Sequence, residues 1–304
     1  MGAVTLFGLI ASALATLGLP ALAHAAPAEA SAAVAAAPEL HWTFDAWVVA
    51  LLGASAAFYA LGAHRLWRRA GHGRGITLGQ AARFAAGWLA LCAALLSPID
   101  ALGAQLFSVH MVQHELLMVV AAPLLVLSRP LEAWTWALKP PWRKALASIA
   151  RIGVLRALWR ACTEPVGAWS LHAVALWAWH VPVLFEAALA DEAVHIAQHS
   201  CFLVSALFFW WSVFRHGAAK RGGASMVSLF PTMMHTAALG ALLTFAPTPW
   251  YAHYAEASVF GLSALEDQQL GGLVMWVPGG LAYLVAGLAI VAAWLAPATR
   301  QEFR

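Results

Sequence analysis

Seven apolar runs, at residues 44–63, 79–99, 104–127, 166–189, 193–214, 226–246 and 270–296, constrain this chain more than any other feature. Each approaches or exceeds the roughly 20 residues that a helix needs to cross a hydrocarbon core. Lipid offers no water to a bare peptide group, so runs of this length must satisfy their own backbone as helices. The expected fold class is all-α, a polytopic membrane helix bundle of about seven transmembrane helices. A soluble globule is excluded by composition: 62% of the 304 residues are hydrophobic and only 10% are charged, against about 25% charged in ordinary soluble domains. Pro123, Pro182, Pro231 and Pro278 lie inside the runs and should bend them, a disruption that neighbouring helices can cover. Trp250, Tyr251 and Tyr254 read as interfacial anchors after the sixth run.

Orientation follows from charge. All 17 Lys and Arg residues lie in or beside the first, third and fifth connections or in the C-terminal tail. The positive-inside rule makes that side cytoplasmic, which places the N-terminus outside and the C-terminus inside. Asp45, Asp100, Glu186, Asp191, Glu192, Glu256, Glu266 and Asp267 gather on the other side. This distribution explains the sequence pI near 9.0 without a nucleic-acid partner. Within the third connection, apolar Leu146, Ile149, Val154 and Leu158 alternate at helical spacing with Arg143, Lys144, Arg151, Arg156 and Arg160. That pattern predicts a basic amphipathic helix lying on anionic lipid, with a protein-binding face as the alternative.

Residues 1–25 are apolar and end in Ala23-His24-Ala25, a cleavage-like pattern, so they read as a signal peptide. Residues 26–41 form an N-terminal tail, 42–297 the transmembrane domain and 298–304 a cytoplasmic tail. An uncleaved first helix is the alternative, and it would add an eighth span. Cys92, Cys162 and Cys201 are odd in number and widely spaced, which rules out a disulfide framework.

The histidines carry the chemistry. Of the 13, His41, His110, His114, His180, His195, His199 and His253 lie toward the outer side. Val109-His110-Met111-Val112-Gln113-His114 and Val194-His195-Ile196-Ala197-Gln198-His199 share the pattern Val-His-x-x-Gln-His. Histidines at i and i+4 occupy one helix face a turn apart, so both imidazoles can reach one metal ion. Two such pairs at one depth imply a metal-binding site formed by His110, His114, His195 and His199, with His180 as a nearby ligand or relay. Gln113 and Gln198 flank the stripe and are candidates to orient a ring, as is Glu115, about 100° around the helix from His114. Met118 continues the stripe one turn deeper. Imidazole suits copper, zinc, iron or nickel, and a thioether favours copper(I). Only neutral imidazole binds, so acidification toward the ordinary His pKa of about 6.5 should release the metal. His172 and His235 lie deeper and, taken alone, read as interhelical hydrogen-bonding residues.

Several segments together resemble the CtaG family of cytochrome c oxidase assembly factors, in its polytopic, caa-type form. They are Ser97-Pro98-Ile99-Asp100, His110-x-x-Gln113-His114 with Leu117-Met118, Ala122-Pro123-Leu124-Leu125, and Trp179-His180-x-Pro182. His195-x-x-Gln198-His199 and Asp267-Gln268-Gln269-x-Gly271-Gly272 with Met275-Trp276 complete the resemblance, which covers about residues 42–297. It implies a non-enzymatic factor in a bacterial inner membrane that assembles a haem-copper oxidase through copper handling. Its implied partners are an oxidase subunit and a periplasmic copper donor, and Gln268 joins the supporting residues. A haem-binding membrane protein is one alternative, since histidines on facing helices can grip an iron from both sides. A copper or proton transporter is another, with His172, His235, Thr232 and Thr244 as inner stepping stones. A metalloprotease is disfavoured, because the glutamate follows the second histidine and no HExxH occurs.

Overall fold

The computed structural model describes residues 40–215, 218–255 and 260–295. The signal segment 1–25, most of the tail 26–41, the tail 298–304, His216 and Glu256 lie outside the described residues. Within them all regular structure is helical. The long elements are α1 (Ala46–Ala70), α2 (Leu78–Leu96), α4 (Phe107–Leu127), α10 (Glu192–Arg215), α11 (Ala218–Thr244) and α12 (Ala264–Leu295). Shorter ones are α3 (Pro98–Gly103), α5 (Pro130–Ala137), α6 (Pro140–Ile149), α7 (Gly153–Thr163), α8 (Pro165–Trp179) and α9 (Pro182–Ala190). Among the described residues six helices are long and apolar enough to cross a membrane, and the pair α8–α9 makes a seventh span if it is counted as one. Exposed Leu51, Val174, Val183, Phe245, Leu281 and Val285 give the surface an apolar character suited to lipid. The chain is a multi-pass membrane protein.

The bundle has two apolar cores that share α4. Phe107, Met111, Met118, Ala122 and Val126 face the core built with α8 to α12. Leu117, Ala121 and Leu125 face the core built with α1, α2 and α5. Helical spacing sorts these residues onto two sides, so α4 is buried along much of its length. Glycines permit the closest approaches: a Cβ on Gly62 of α1 would lie 1.8 Å from the Ala133 carbonyl of α5. Small residues at such crossings let membrane helices pack by contact alone.

Two prolines are accommodated differently. In α4 the segment Leu116–Ala121 is a π-helix, and the Ala122 N–H bonds to the carbonyl of Leu117, five residues back. In that register the Met118 carbonyl meets Pro123, which has no N–H to give. The indole Nε1 of Trp210 donates to Met118 instead, at 2.8 Å. In the fourth span Val181, which precedes Pro182, is extended at ψ 129°. The chain breaks there, and α8 and α9 meet at 74°.

Other boundaries depart from expectation. The first helix continues past 63 to Ala70 and carries Arg65, Arg68 and Arg69 on its last turns. The last begins at Ala264, six residues early, because Ser263 and Glu266 form a reciprocal capping box. The amphipathic stretch is two helices, α6 and α7, split where Ile152 turns extended before Gly153. α6 buries none of its residues, and α7 buries only Thr163.

Candidate metal centre

The centre starts from how α4 begins. Leu106, at its N-cap, supplies no side-chain bond, so the first amide hydrogens need another acceptor. Asp267 of α12 provides it, taking the Phe107 N–H at 2.6 Å and the Ser108 N–H at 3.1 Å. A carboxylate at a helix N-terminus is also favoured by the helix dipole. This clamp fixes the depth and rotation of α4, and His110 follows within one turn. Sequence reasoning placed Asp267 among the outer acidic residues and in the motif Asp267-Gln268-Gln269, with no role for its side chain.

His110 and His114 project from α4 toward His195 and His199 of α10. The His195 and His199 Nε2 atoms are 3.1 Å apart. Two ligands at about 2.05 Å from one tetrahedral ion would be roughly 3.3 Å apart, so the pair fits a shared metal. One ligand atom each from His110, His195 and His199 lies within 4.8 Å of the other two. His110 Nε2 is buried and has no hydrogen-bond partner. These donors fit a nitrogen-liganded metal ion.

His114 and His180 form the next layer. The His114 ring is 5.3 Å from that of His199 and 5.9 Å from that of His180. Both of its ring nitrogens are buried without partners. The break at Pro182 places His180 at the end of α8, where Nδ1 lies 2.7 Å from the Leu176 carbonyl. A carbonyl only accepts, so Nδ1 carries the hydrogen and Nε2 keeps its lone pair free, the form that binds a metal.

The supporting residues divide. Gln198 is fully buried on α10, where its side chain interacts with the His110 ring. Gln113 turns away from the imidazoles and donates to Asp100 at 2.7 Å and the Ala94 carbonyl at 2.8 Å, tying α4 to α2 and α3. Gln268 accepts from the Trp250 N–H and donates to the Leu243 carbonyl at 3.4 Å, so it braces a loop and not a ring. Glu115 lies toward α12, where a Cβ on Gly279 would sit 3.0 Å from its Oε2. Met118 packs in the core, the π-helix having rotated the stripe.

Tyr251 and Tyr254 are not surface anchors but buried, at 1% and 3% exposure. Their hydroxyls donate to the carbonyls of His180 at 3.0 Å and Gly103 at 2.7 Å. Burial is the main cause that pushes both phenols above their ordinary range, so they stay protonated donors. With Phe107 and Phe185 they form an aromatic cluster in which Phe107 stacks on Tyr251 and meets Tyr254 edge-on, and Phe185 also reaches His110, at 5.2 Å. His253 ties two loops by its ring contact with the Ala104 carbonyl at 3.0 Å and does not join the cluster.

Residues 57–296 match the family described as cytochrome c oxidase caa3 assembly factor (Caa3_CtaG). Uncharacterized proteins from Mycobacterium bovis and Mycobacterium tuberculosis are each 28% identical over 269 residues, 83% of this chain. The chain spans 39% of the length of those relatives. No solved structure gives a significant match. The chain belongs to the cytochrome c oxidase caa3 assembly factor family.

Proposed function

We propose that the chain handles copper during assembly of a haem-copper oxidase, holding the ion with His110, His195 and His199. The observation that carries this reading is the convergence of three imidazole nitrogens within 4.8 Å at one end of the bundle. His114 and His180 extend the site inward as further nitrogen donors. The aromatic group of Phe107, Phe185, Tyr251 and Tyr254 limits the approach of water. Copper is cargo here. It is taken from a periplasmic donor and given to an oxidase subunit by exchange of ligands, with no bond-making catalysis. The positive-inside distribution supports a periplasmic position for the histidine end of an inner-membrane protein. It also supports the basic helices α6 and α7 resting on anionic lipid at the cytoplasmic face.

The haem alternative fits this geometry less well. Neighbouring imidazoles in the cluster have ring centroids 4.1–5.9 Å apart, which leaves no slot for a porphyrin between them. The test is elemental analysis of detergent-purified protein after copper loading and desalting, beside a His110→Ala/His195→Ala variant. Retention by the first and loss by the second is the expected result. A folded wild type that retains no copper would overturn the proposal, and a Soret band would return the haem reading.

A further inference from the structure

At the end of the bundle away from the histidines, a group of cations surrounds one space with no acid to answer it. Arg65, Arg68 and Arg69 recur at i, i+3 and i+4 on the last two turns of α1, so one face of that helix carries all three. Lys139 is the N-cap of α6, and Arg143 follows one turn later. Together with Trp136, Leu138 and Pro140 these five residues line a cavity of about 450 Å³, within the roughly 300–1,000 Å³ usual for small-ligand sites. None of the five pairs with a carboxylate among the described residues. The positive-inside rule accounts for basic residues at this end, but it does not require them to converge on a cavity.

The walls of that cavity are held in place. Arg65 donates to the Trp136 and Ala137 carbonyls at the end of α5, which ties α1 to α5. The guanidinium carbons of Arg69 and Arg143 lie over the Trp136 ring at 5.6 and 4.5 Å. A ring face steadies a cation without cancelling its charge. Arg143 Nε is buried and has no hydrogen-bond partner. Lys139 and Arg143 also flank the first turn of α6, which has no side-chain cap, and a helix dipole favours anions there and disfavours cations. A bound anion would relieve both the crowding of like charges and that mismatch.

We propose that this cavity binds a phosphate group, carried by an anionic phospholipid headgroup or by a soluble phosphate compound. Guanidinium forks match phosphate oxygens, and one phosphate can accept from several cations at once. A carboxylate, with fewer oxygens, would engage fewer of them. Trp136, Leu138 and Pro140 give the rest of the molecule an apolar wall to lie on. The cations surround open space, so the site selects the phosphate by its charge and its oxygens and sets little preference among the groups attached to it. It lies between α1, α5 and the start of α6, apart from α7, and depends on neither the histidine cluster nor copper.

The test is isothermal titration calorimetry of the detergent-purified full chain, at one fixed ionic strength, with short-chain phosphatidylglycerol, short-chain phosphatidylcholine and inorganic phosphate. In detergent no anionic surface is present for α7 to rest on. Phosphatidylglycerol should bind saturably, with phosphatidylcholine much weaker because its choline brings a positive charge. Arg69→Gln/Arg143→Gln should weaken that binding about fivefold for each cation removed. Arg156→Gln/Arg160→Gln, an equal loss of charge on α7, should leave it unchanged. Arg68→Gln/Lys139→Gln, which alters only exposed side chains, gives the same reading if the first variant does not fold. Inorganic phosphate binding as tightly as phosphatidylglycerol would name a soluble compound as the source, and weak binding of the free ion would name the lipid. No saturable binding of either, phosphatidylcholine binding equally well, an unchanged affinity in the folded cavity variants, or an equal loss in the α7 variant would overturn the proposal.

Discussion

The two ends of the bundle are built on opposite principles. At the histidine end, titratable side chains are buried and packed ring against ring, with His180 held by the Leu176 carbonyl. At the other end, Arg65, Arg68, Arg69, Lys139 and Arg143 line a cavity of about 450 Å³ beside Trp136. There the cations spread around open space, with Arg143 stacked on Trp136 at 4.5 Å. Neutral imidazole tolerates burial because its ligand form carries no charge, whereas guanidinium keeps its charge and so stays at the wet or headgroup level. The first arrangement can specify one ion by geometry. The second can favour anionic surfaces by charge but imposes little shape. Function that depends on geometry should therefore fail sharply at the histidine end, and function that depends on charge should fade gradually at the basic end.

The sharpest way to break this contrast is His199→Ala. It removes the ligand at which both α4 histidines and His195 converge. Copper affinity should fall by more than the roughly 10–100-fold expected for loss of a supporting group, as read by competition with a chromophoric chelator. A fall of less than about 10-fold would show that the cluster is not a built site.

Next in size is Asp267→Ala. Two backbone amides and the Ser108 hydroxyl lose their acceptor at the start of α4. Loss of a cap costs about 1 kcal/mol and loss of a buried charged acceptor more, so about 1–3 kcal/mol is expected from unfolding in detergent. Copper affinity should drop with it, since His110 is placed by that turn. Stability lost without any change in copper binding would separate the clamp from the site.

At the basic end, Arg156→Ala or Arg160→Ala should weaken association with vesicles containing anionic lipid by about 1 kcal/mol each, with the loss masked at high salt. Neither should alter copper retention. A sharp loss of binding from one such change would mean that α7 recognises a shaped partner and not a charged surface.

The sequence made the apolar spans, the histidine pairing and a bend at Pro182 legible, because each depends on local spacing or local sterics, but not that the bend there is a full break of 74°. The i, i+4 spacing made two histidine faces readable, but the group within 4.8 Å takes both members of one pair, His195 and His199, and only His110 of the other. The supports were less so. Gln113 and Gln268 sit beside site-like motifs yet bond to Asp100 and Trp250, contacts that only helix packing determines. Tyr251 and Tyr254 have the composition of interfacial anchors, and burial against Phe107 and Phe185 depends on a loop folding back over the end of the bundle. The capping box at Ser263 and Glu266 was visible as an S-x-x-E pattern and would have moved the start of α12 to its true place.

Glu115 is the finest probe of the same distinction. Sequence adjacency to His114 makes it a candidate support, but the helix turns it about 100° away. Its Oε2 is buried without a partner, and with Val112, Val119, Val274 and Pro278 it lines an apolar cavity of about 350 Å³. Glu115→Gln keeps shape and polarity while removing the acid. It should leave copper affinity within about twofold of wild type, since imidazole binding does not use it. A larger fall would mean that its carboxyl group influences the cluster through the helix, and that the α4 site is tuned from both of its faces.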